Sequence, residues 1–214
     1  MKKLVQIALS FLLLSCSTES EKFKIIGTTD LGDGKKIFRV VADQNNQPIV
    51  LDTILVSKGK FEFQGTAIEP DINFLYIEGI QGNIGFIVEP GTIKAKLLKD
   101  DLGSSEFKGT ASNDSYLLYK NETKSLINSL NEIATEYERA MALGDDLLGN
   151  DLAEQHNDLR KKVKEYEIKF IQTHKNSFFS ALFLEKYLSA KDLDVELAKV
   201  YYNNLDDKIR NTQT

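Results

Sequence analysis

Phe107-Lys108-Gly109-Thr110-Ala111-Ser112-Asn113 marks the point at which the chain changes its hydrophobic period. Towards the amino terminus, short apolar runs lie between turn signals. Towards the carboxyl terminus, glycine becomes scarce, proline disappears and apolar residues recur at steps of three and four. On the amino-terminal side Phe61 and Phe63 alternate with Lys60, Glu62 and Gln64, and Ile93, Ala95 and Leu97 alternate with Lys94 and Lys96. This is the period of a half-buried strand. Turn chemistry stands at Gly32-Asp33-Gly34, Asn45-Asn46, Ser57-Lys58-Gly59, Gly79 to Gly82, Glu89-Pro90-Gly91 and Asp100 to Gly103. The runs Phe38 to Ala42, Val50 to Val56, Phe74 to Ile77 and Ile84 to Val88 are more continuously apolar, as expected of strands covered on both sides. About seven or eight strands at this spacing predict an antiparallel β-sandwich over residues 23–112.

Beyond Asn113, Ile127, Leu130, Ala134, Tyr137 and Met141 form one helical stripe, with Asn113 or Ser115 as its amino-terminal cap. Leu152, His156, Leu159, Val163, Tyr166 and Phe170 form a second, after a break at Gly144-Asp145-Asp146 and Gly149-Asn150-Asp151. Two stripes joined by a polar break predict an antiparallel helix pair, packed as a hairpin rather than an extended coiled coil. Asn176 or Ser177 would cap a third helix through Phe178, Phe183 and Tyr187, and Asp192 a fourth through Leu197 and Tyr201. The expected class is therefore α+β, with the helical region at residues 113–214.

The amino terminus reads as an address. Met1-Lys2-Lys3, the apolar run Leu4 to Leu14 and Ser15-Cys16 have the order of a secretory signal, residues 1–15, and the apolar run is about half the ~20 residues needed to span a bilayer. Leu13-Leu14-Ser15-Cys16 resembles a lipobox cut before the cysteine, and Cys16 is the only cysteine of the 214 residues. Its expected role is lipidation, which with an acylated amino terminus gives stable anchoring in membrane lipid. Residues 16–22 are a short polar tether. Without its first 15 residues the chain has 199, and losing Lys2 and Lys3 moves the net charge from −5 to −7. That balance excludes nucleic acid as a partner and electrostatic adhesion to anionic lipid. Once Cys16 is acylated no thiol remains for a disulfide.

Chemistry-bearing motifs are sparse. His156 and His174 fall 18 residues apart on one expected helix, about 27 Å, and so cannot share a metal. Asp145, Asp146, Asn150 and Asp151 lack the order and the closing glutamate of an EF-hand. Asp100-Asp101 and Asp206-Asp207 read as turn or helix-start carboxylates. No catalytic, cofactor-binding or metal-ligating residue is nominated, and no cofactor is expected. A groove between the β half and the helices is where a small ligand would sit.

Taken in order, Phe23-Lys24-Ile25-Ile26-Gly27, Asp52 to Val56, Lys60-Phe61-Glu62-Phe63-Gln64-Gly65, Phe86-Ile87-Val88-Glu89-Pro90-Gly91-Thr92-Ile93 and Phe107 to Asn113 resemble the domain of unknown function 4369. This is a β-rich module of Gram-negative envelope lipoproteins. Its apolar-Glu-x-Gly-x-Ile segment matches residues 86–93, and its closing Gly-(Ser/Thr)-x-x-Asn matches Gly109 to Asn113. The resemblance implies a helical connector after the β module and then a thioredoxin-like oxidoreductase domain, whose Trp-Cys-x-x-Cys this sequence lacks. The expectation is a non-catalytic accessory region of such an oxidoreductase, truncated at its carboxyl end or acting alone, with a thioredoxin-like domain or envelope protein as partner. The alternative is a self-sufficient binding lipoprotein. Ser17, rather than aspartate, follows Cys16 and favours the outer membrane as the site of attachment.

Overall fold

The computed structural model describes residues 21–212. The signal run 1–15, the lipidation residue Cys16 and most of the 16–22 tether lie outside the described residues. Eight strands form two four-stranded sheets. One holds β4(Lys60–Thr66), β1(Lys22–Thr29), β7(Gly91–Leu97) and β8(Glu106–Lys108) in that order, the other β3(Pro48–Leu55), β2(Lys36–Ala42), β5(Asp71–Ile77) and β6(Ile84–Val88). Their inner faces meet over Ile25, Ile37, Phe63, Leu75, Phe86, Ile93 and Leu97. The helices follow as α1(Ala111–Ala142), α2(Asp146–Thr173), α3(Phe178–Ser189), α4(Val195–Asn204) and α5(Asp207–Arg210), which makes the class α+β. The pairing is antiparallel except between β1 and β7, which run parallel. No hairpin joins those two strands. The chain reaches β7 from the other sheet through Glu89-Pro90, so its direction against β1 is not set by a tight turn.

Two glycines let the first sheet close over aromatic rings. Gly27 pairs with Phe61, and Gly65 with Phe23, across β1 and β4. A Cβ on Gly27 would lie 1.9 Å from the Phe61 ring, and one on Gly65 2.8 Å from the Phe23 ring. Each ring takes the place of the missing side chain. Gly27→Ala is therefore expected to lower the urea midpoint by the equivalent of about 1–3 kcal/mol, because Phe61 is boxed in by the core and cannot swing away. An unchanged midpoint would contradict this packing.

The continuous apolar run of Val50 to Val56 is not covered on both sides. Val50 is 55% and Leu55 60% exposed. β3 is an edge strand, and no helix lies over its outer face, so its β-branched and apolar residues reflect strand propensity rather than burial. At the other edge the reading holds. Phe86 of β6 points into the sandwich, while Ile87 is covered by Phe178, Leu205 and Ile209 from the helices.

The helix boundaries also depart from the simple pattern. α1 starts at Ala111 after Thr110, so Asn113 and Ser115 lie inside its first turns and are not its cap. Only Leu143 to Asp145 separates α1 from α2, with the Asp145 side chain accepting from the Leu148 N–H at 3.1 Å. Gly149-Asn150-Asp151 is helical, and a Cβ on Gly149 would stand 2.9 Å from the Met141 sulfur, so α2 runs close to the Met141 side chain there. Ser177 caps α3 as expected, whereas the cap of α4 is Asp194 in place of Asp192. Asp194 Oδ1 accepts from the N–H groups of Glu196 and Leu197, and Asp192 instead offers its carbonyl to Lys164.

Candidate functional site: the joint between sandwich and helices

The turn from β6 to β7 and the turn from β8 into α1 meet at one buried spot. Glu89 takes both donors of Ser112: Oε1 accepts the backbone N–H at 2.8 Å and Oε2 the hydroxyl at 3.0 Å. A carboxylate from the sheet thus serves a free N–H in the first turn of a helix, where negative charge is also favoured by the dipole. One residue on, the Asn113 amide pairs with both backbone groups of Ile87. Its Oδ1 accepts the N–H at 3.1 Å and its Nδ2 donates to the carbonyl at 2.7 Å and to Thr110 Oγ1 at 2.9 Å. Because β6 is an edge strand, this amide stands in for the next strand over one residue and closes the edge.

The backbone has to approach closely for this. Gly109 has φ +102°, and a Cβ there would sit 2.6 Å from the Thr92 carbonyl oxygen. Its N–H donates to Asp114 Oδ1 at 2.7 Å, which ties the turn to the helix it opens. A further set of bonds holds α3. Ser112 Oγ accepts the Phe178 N–H at 3.0 Å, and the Ser115 and Ser177 hydroxyls share a hydrogen bond of 2.6 Å. Ser112, Asn113 and Ser177 are each 0% exposed.

Both halves of this joint lie in one matched segment, since residues 23–116 match the family model Domain of unknown function (DUF4369). The match covers 94 of the 214 residues. No curated protein and no solved structure matches the chain. The DUF4369 segment runs past the sandwich into the opening turns of α1, so Glu89, Gly109, Ser112 and Asn113 all belong to it. Two of the five stretches that carried the resemblance, residues 86–93 and 107–113, are thus joined in space by the bonds between Glu89 and Ser112 and between Asn113 and Ile87.

A second buried polar group lies among the helices beyond the DUF4369 segment. Glu167 of α2 is 1% exposed, and its carboxylate accepts from the hydroxyl of Tyr119 on α1 at 2.6 Å, the hydroxyl of Tyr187 on α3 at 2.5 Å and Lys186 Nζ at 2.6 Å. Around it, Tyr119 contacts the rings of Phe170 and Phe183, and Tyr116 stacks on Phe179 at 4.2 Å. Sequence patterning passed over Glu167, although it falls four residues after Val163 and three before Phe170, on the apolar stripe itself. A carboxylate at such a position needs donors from neighbouring elements.

Burial, with the bond to Glu167, pushes the Tyr119 and Tyr187 hydroxyls well above the usual tyrosine range. Burial and a bond to Glu122 push Tyr166 up to about 12. The unfolded chain ionises its tyrosines near pH ~10. Stability is therefore full below that pH and falls as it rises, first through about 12 for Tyr166 and then beyond for the other two. Tyrosinate absorbance should show Tyr119 and Tyr187 ionising only together with loss of the helical circular dichroism signal. Complete titration near pH ~10 with the fold intact would refute the buried arrangement.

A cleft of about 690 Å³ separates α1 from the loop Asp101–Glu106, between the β half and the helices. Tyr116, Tyr119 and Thr123 contribute to its lining, with Lys120 and Lys124 beside Asp101 and Glu106. Lys120 Nζ donates to the Ser105 carbonyl at 2.8 Å, and partial burial lowers its pKa. The two histidines are far apart in role. His156 lines a groove between α1 and α2, and His174 stacks on Phe170 at 4.1 Å. Asp101 and Asp206 begin helical turns, as their sequence context implies. Among the described residues no group of three histidine, cysteine, aspartate or glutamate side chains gathers as a metal site, and no helix is long and apolar enough to cross a membrane.

Proposed function

We propose that the chain is a lipid-anchored module of the cell envelope, held at the outer membrane or periplasmic face through Cys16, and that it is the accessory region of a thioredoxin-like thiol-disulfide oxidoreductase. The observation that carries this reading is the joint. Its buried hydrogen bonds tie the DUF4369 sandwich to α1 and to the start of α3, which favours a fixed angle between sandwich and helices. A rigid spacer of this kind suits a protein that holds a catalytic domain at a fixed distance and angle from a membrane. The lone cysteine in a lipobox-like run supports the anchor, and the ordered resemblance supports the redox partner.

The two parts of the reading have separate tests. Growth with a labelled fatty acid should mark the wild-type protein and leave Cys16→Ala unmarked; equal labelling of both overturns the anchor. Reading the coding sequence past the codon for Thr214 and purifying the protein from envelope membranes tests the partner. An in-frame or co-purifying Trp-Cys-x-x-Cys domain is expected. Finding neither overturns the accessory role.

The cleft between α1 and the loop Asp101–Glu106 favours a second reading, a self-sufficient binding lipoprotein, because its volume falls in the range of small-molecule sites. A thermal shift with a small polar ligand, lost in Tyr116→Ala, would establish it. A ligand panel without any shift would dismiss it.

A further inference from the structure

The α1–α2 hairpin leaves the body of the protein part-way along its length. Among the described residues, no buried apolar cluster draws on a residue between Tyr119 and Tyr166. The loop Asp101–Ser104 shares its cleft with α1 only as far as Asn128. What projects beyond is held by a narrow seam in which Ala140, Gly149 and Leu152 are buried. At its tip Met141, Leu143, Leu147 and Leu148 are exposed, Leu143 and Leu147 by three quarters or more. Between the two helices half-way down the arm, Ala134, Tyr137, Glu138, Ala153, His156 and Asn157 border an open groove of about 330 Å³. Apolar residues left half out of water along a two-helix seam are the arrangement of half a helix bundle.

Charge along the arm is segregated. The tip half, residues 132–158, carries eight acidic side chains, among them Asp145, Asp146 and Asp151, against the single basic Arg139. The root, residues 116–131 and 159–175, carries eight basic side chains, among them Arg160, Lys161 and Lys162, against three acidic ones. Lys161 pairs with Asp158 at 3.0 Å, but both are exposed, so that pair holds it weakly.

We propose that the arm pairs antiparallel with the arm of a second copy of this chain, each acidic, leucine-bearing tip lying against the other's basic root. Such a pairing is isologous, as a two-fold dimer requires. Parallel pairing would set acidic tip against acidic tip. The overlap from Lys124 to Asp145 is about 30 Å long. Its midpoint falls near Ala134 on α1, and the midpoint between Asp146 and Lys162 falls at Glu154 on α2. Ala134 borders the open groove, and Glu154 directly follows Ala153, which borders it too. The two-fold axis thus brings the groove of one copy to the groove of the other, where each Tyr137 fills space the single hairpin leaves open. The acidic tip also disfavours an anionic membrane as the occupant.

Sedimentation velocity of the full chain carrying Cys16→Ala, which removes acyl-driven association, reads the state directly. A dimer is expected at tens of micromolar. The tip reversal Asp145→Lys, Asp146→Lys, Asp151→Lys and the root reversal Arg160→Glu, Lys161→Glu, Lys162→Glu should each weaken it by about tenfold or more. Mixing the two reversed proteins should restore a dimer, since both contacts are again of opposite sign. Unchanged circular dichroism of each variant keeps the result separate from misfolding. A wild-type monomer at every concentration, a dimer indifferent to tip reversal, a mixture that stays monomeric, or a tip that binds anionic vesicles instead would overturn the proposal.

Discussion

Asn113→Ala is expected to lose about 3–5 kcal/mol of stability, as much as truncating a large buried core side chain. The wild-type amide is completely buried and satisfies both backbone groups of Ile87. Alanine leaves that N–H and that carbonyl without partners where water does not reach, at about 1–3 kcal/mol each. It also takes a donor from Thr110 Oγ1. Asn113→Asp separates the two halves of the effect. The carboxylate still accepts from the Ile87 N–H but sets an oxygen against the Ile87 carbonyl. Its deficit should shrink as the pH falls, because a protonated carboxyl can again donate to that carbonyl. Denaturant unfolding at two pH values reads both variants. A loss below about 1 kcal/mol for Asn113→Ala would mean that the amide does not hold the edge of β6.

Glu167→Leu should cost about 3–5 kcal/mol, for a related reason in a different place. The carboxylate gathers three donors from two neighbouring helices, and its removal leaves the Tyr187 hydroxyl buried and the Tyr119 hydroxyl largely so, without an acceptor. Glu167→Gln keeps the shape and loses the charge, so a smaller loss of about 1–2 kcal/mol is expected. The decisive variant adds Tyr119→Phe and Tyr187→Phe to Glu167→Leu. With the orphaned hydroxyls gone, most of the lost stability should return, as it does when a buried polar cluster is replaced as a unit. If the triple variant is no more stable than Glu167→Leu, the loss comes from packing and not from unpaired donors.

Much of the fold could be read from local pattern. The strands announced by Phe61-Glu62-Phe63 and Ile93 to Leu97, the helix capped by Ser177 and the hairpin turn at Asp145 all occur where residue period and capping chemistry put them. These features act within one element and its neighbours in the chain. The misses have a common cause. Val50 to Val56 looks buried because β-branched residues serve exposed and covered strands alike, and nothing in the run says that β3 ends its sheet. Asn113 looks like a cap because asparagine commonly is one; its amide in fact serves a strand 26 residues earlier. Gly149 looks like a break, yet it is the point where α2 passes close to Met141. In each case the placing of one element against another, or the lack of a covering element, outweighs local preference.

The sequence alone determined the class, the order of elements, the resemblance over the β half and the lone cysteine that reads as an anchor. Each of these is a property of neighbouring residues: period, turn chemistry, charge and the presence or lack of a residue type. Only the tertiary structure decided what the matched stretches do for one another. Residues 86–93 and 107–113 carry no mark of mutual contact, and Glu89 finds Ser112 because the β6–β7 turn and the start of α1 meet above the same edge. The same holds for Glu167, whose donors come from α1 and α3. A buried polar group needs partners, but which partners it finds depends on how layers pack, and that is settled by the whole chain at once.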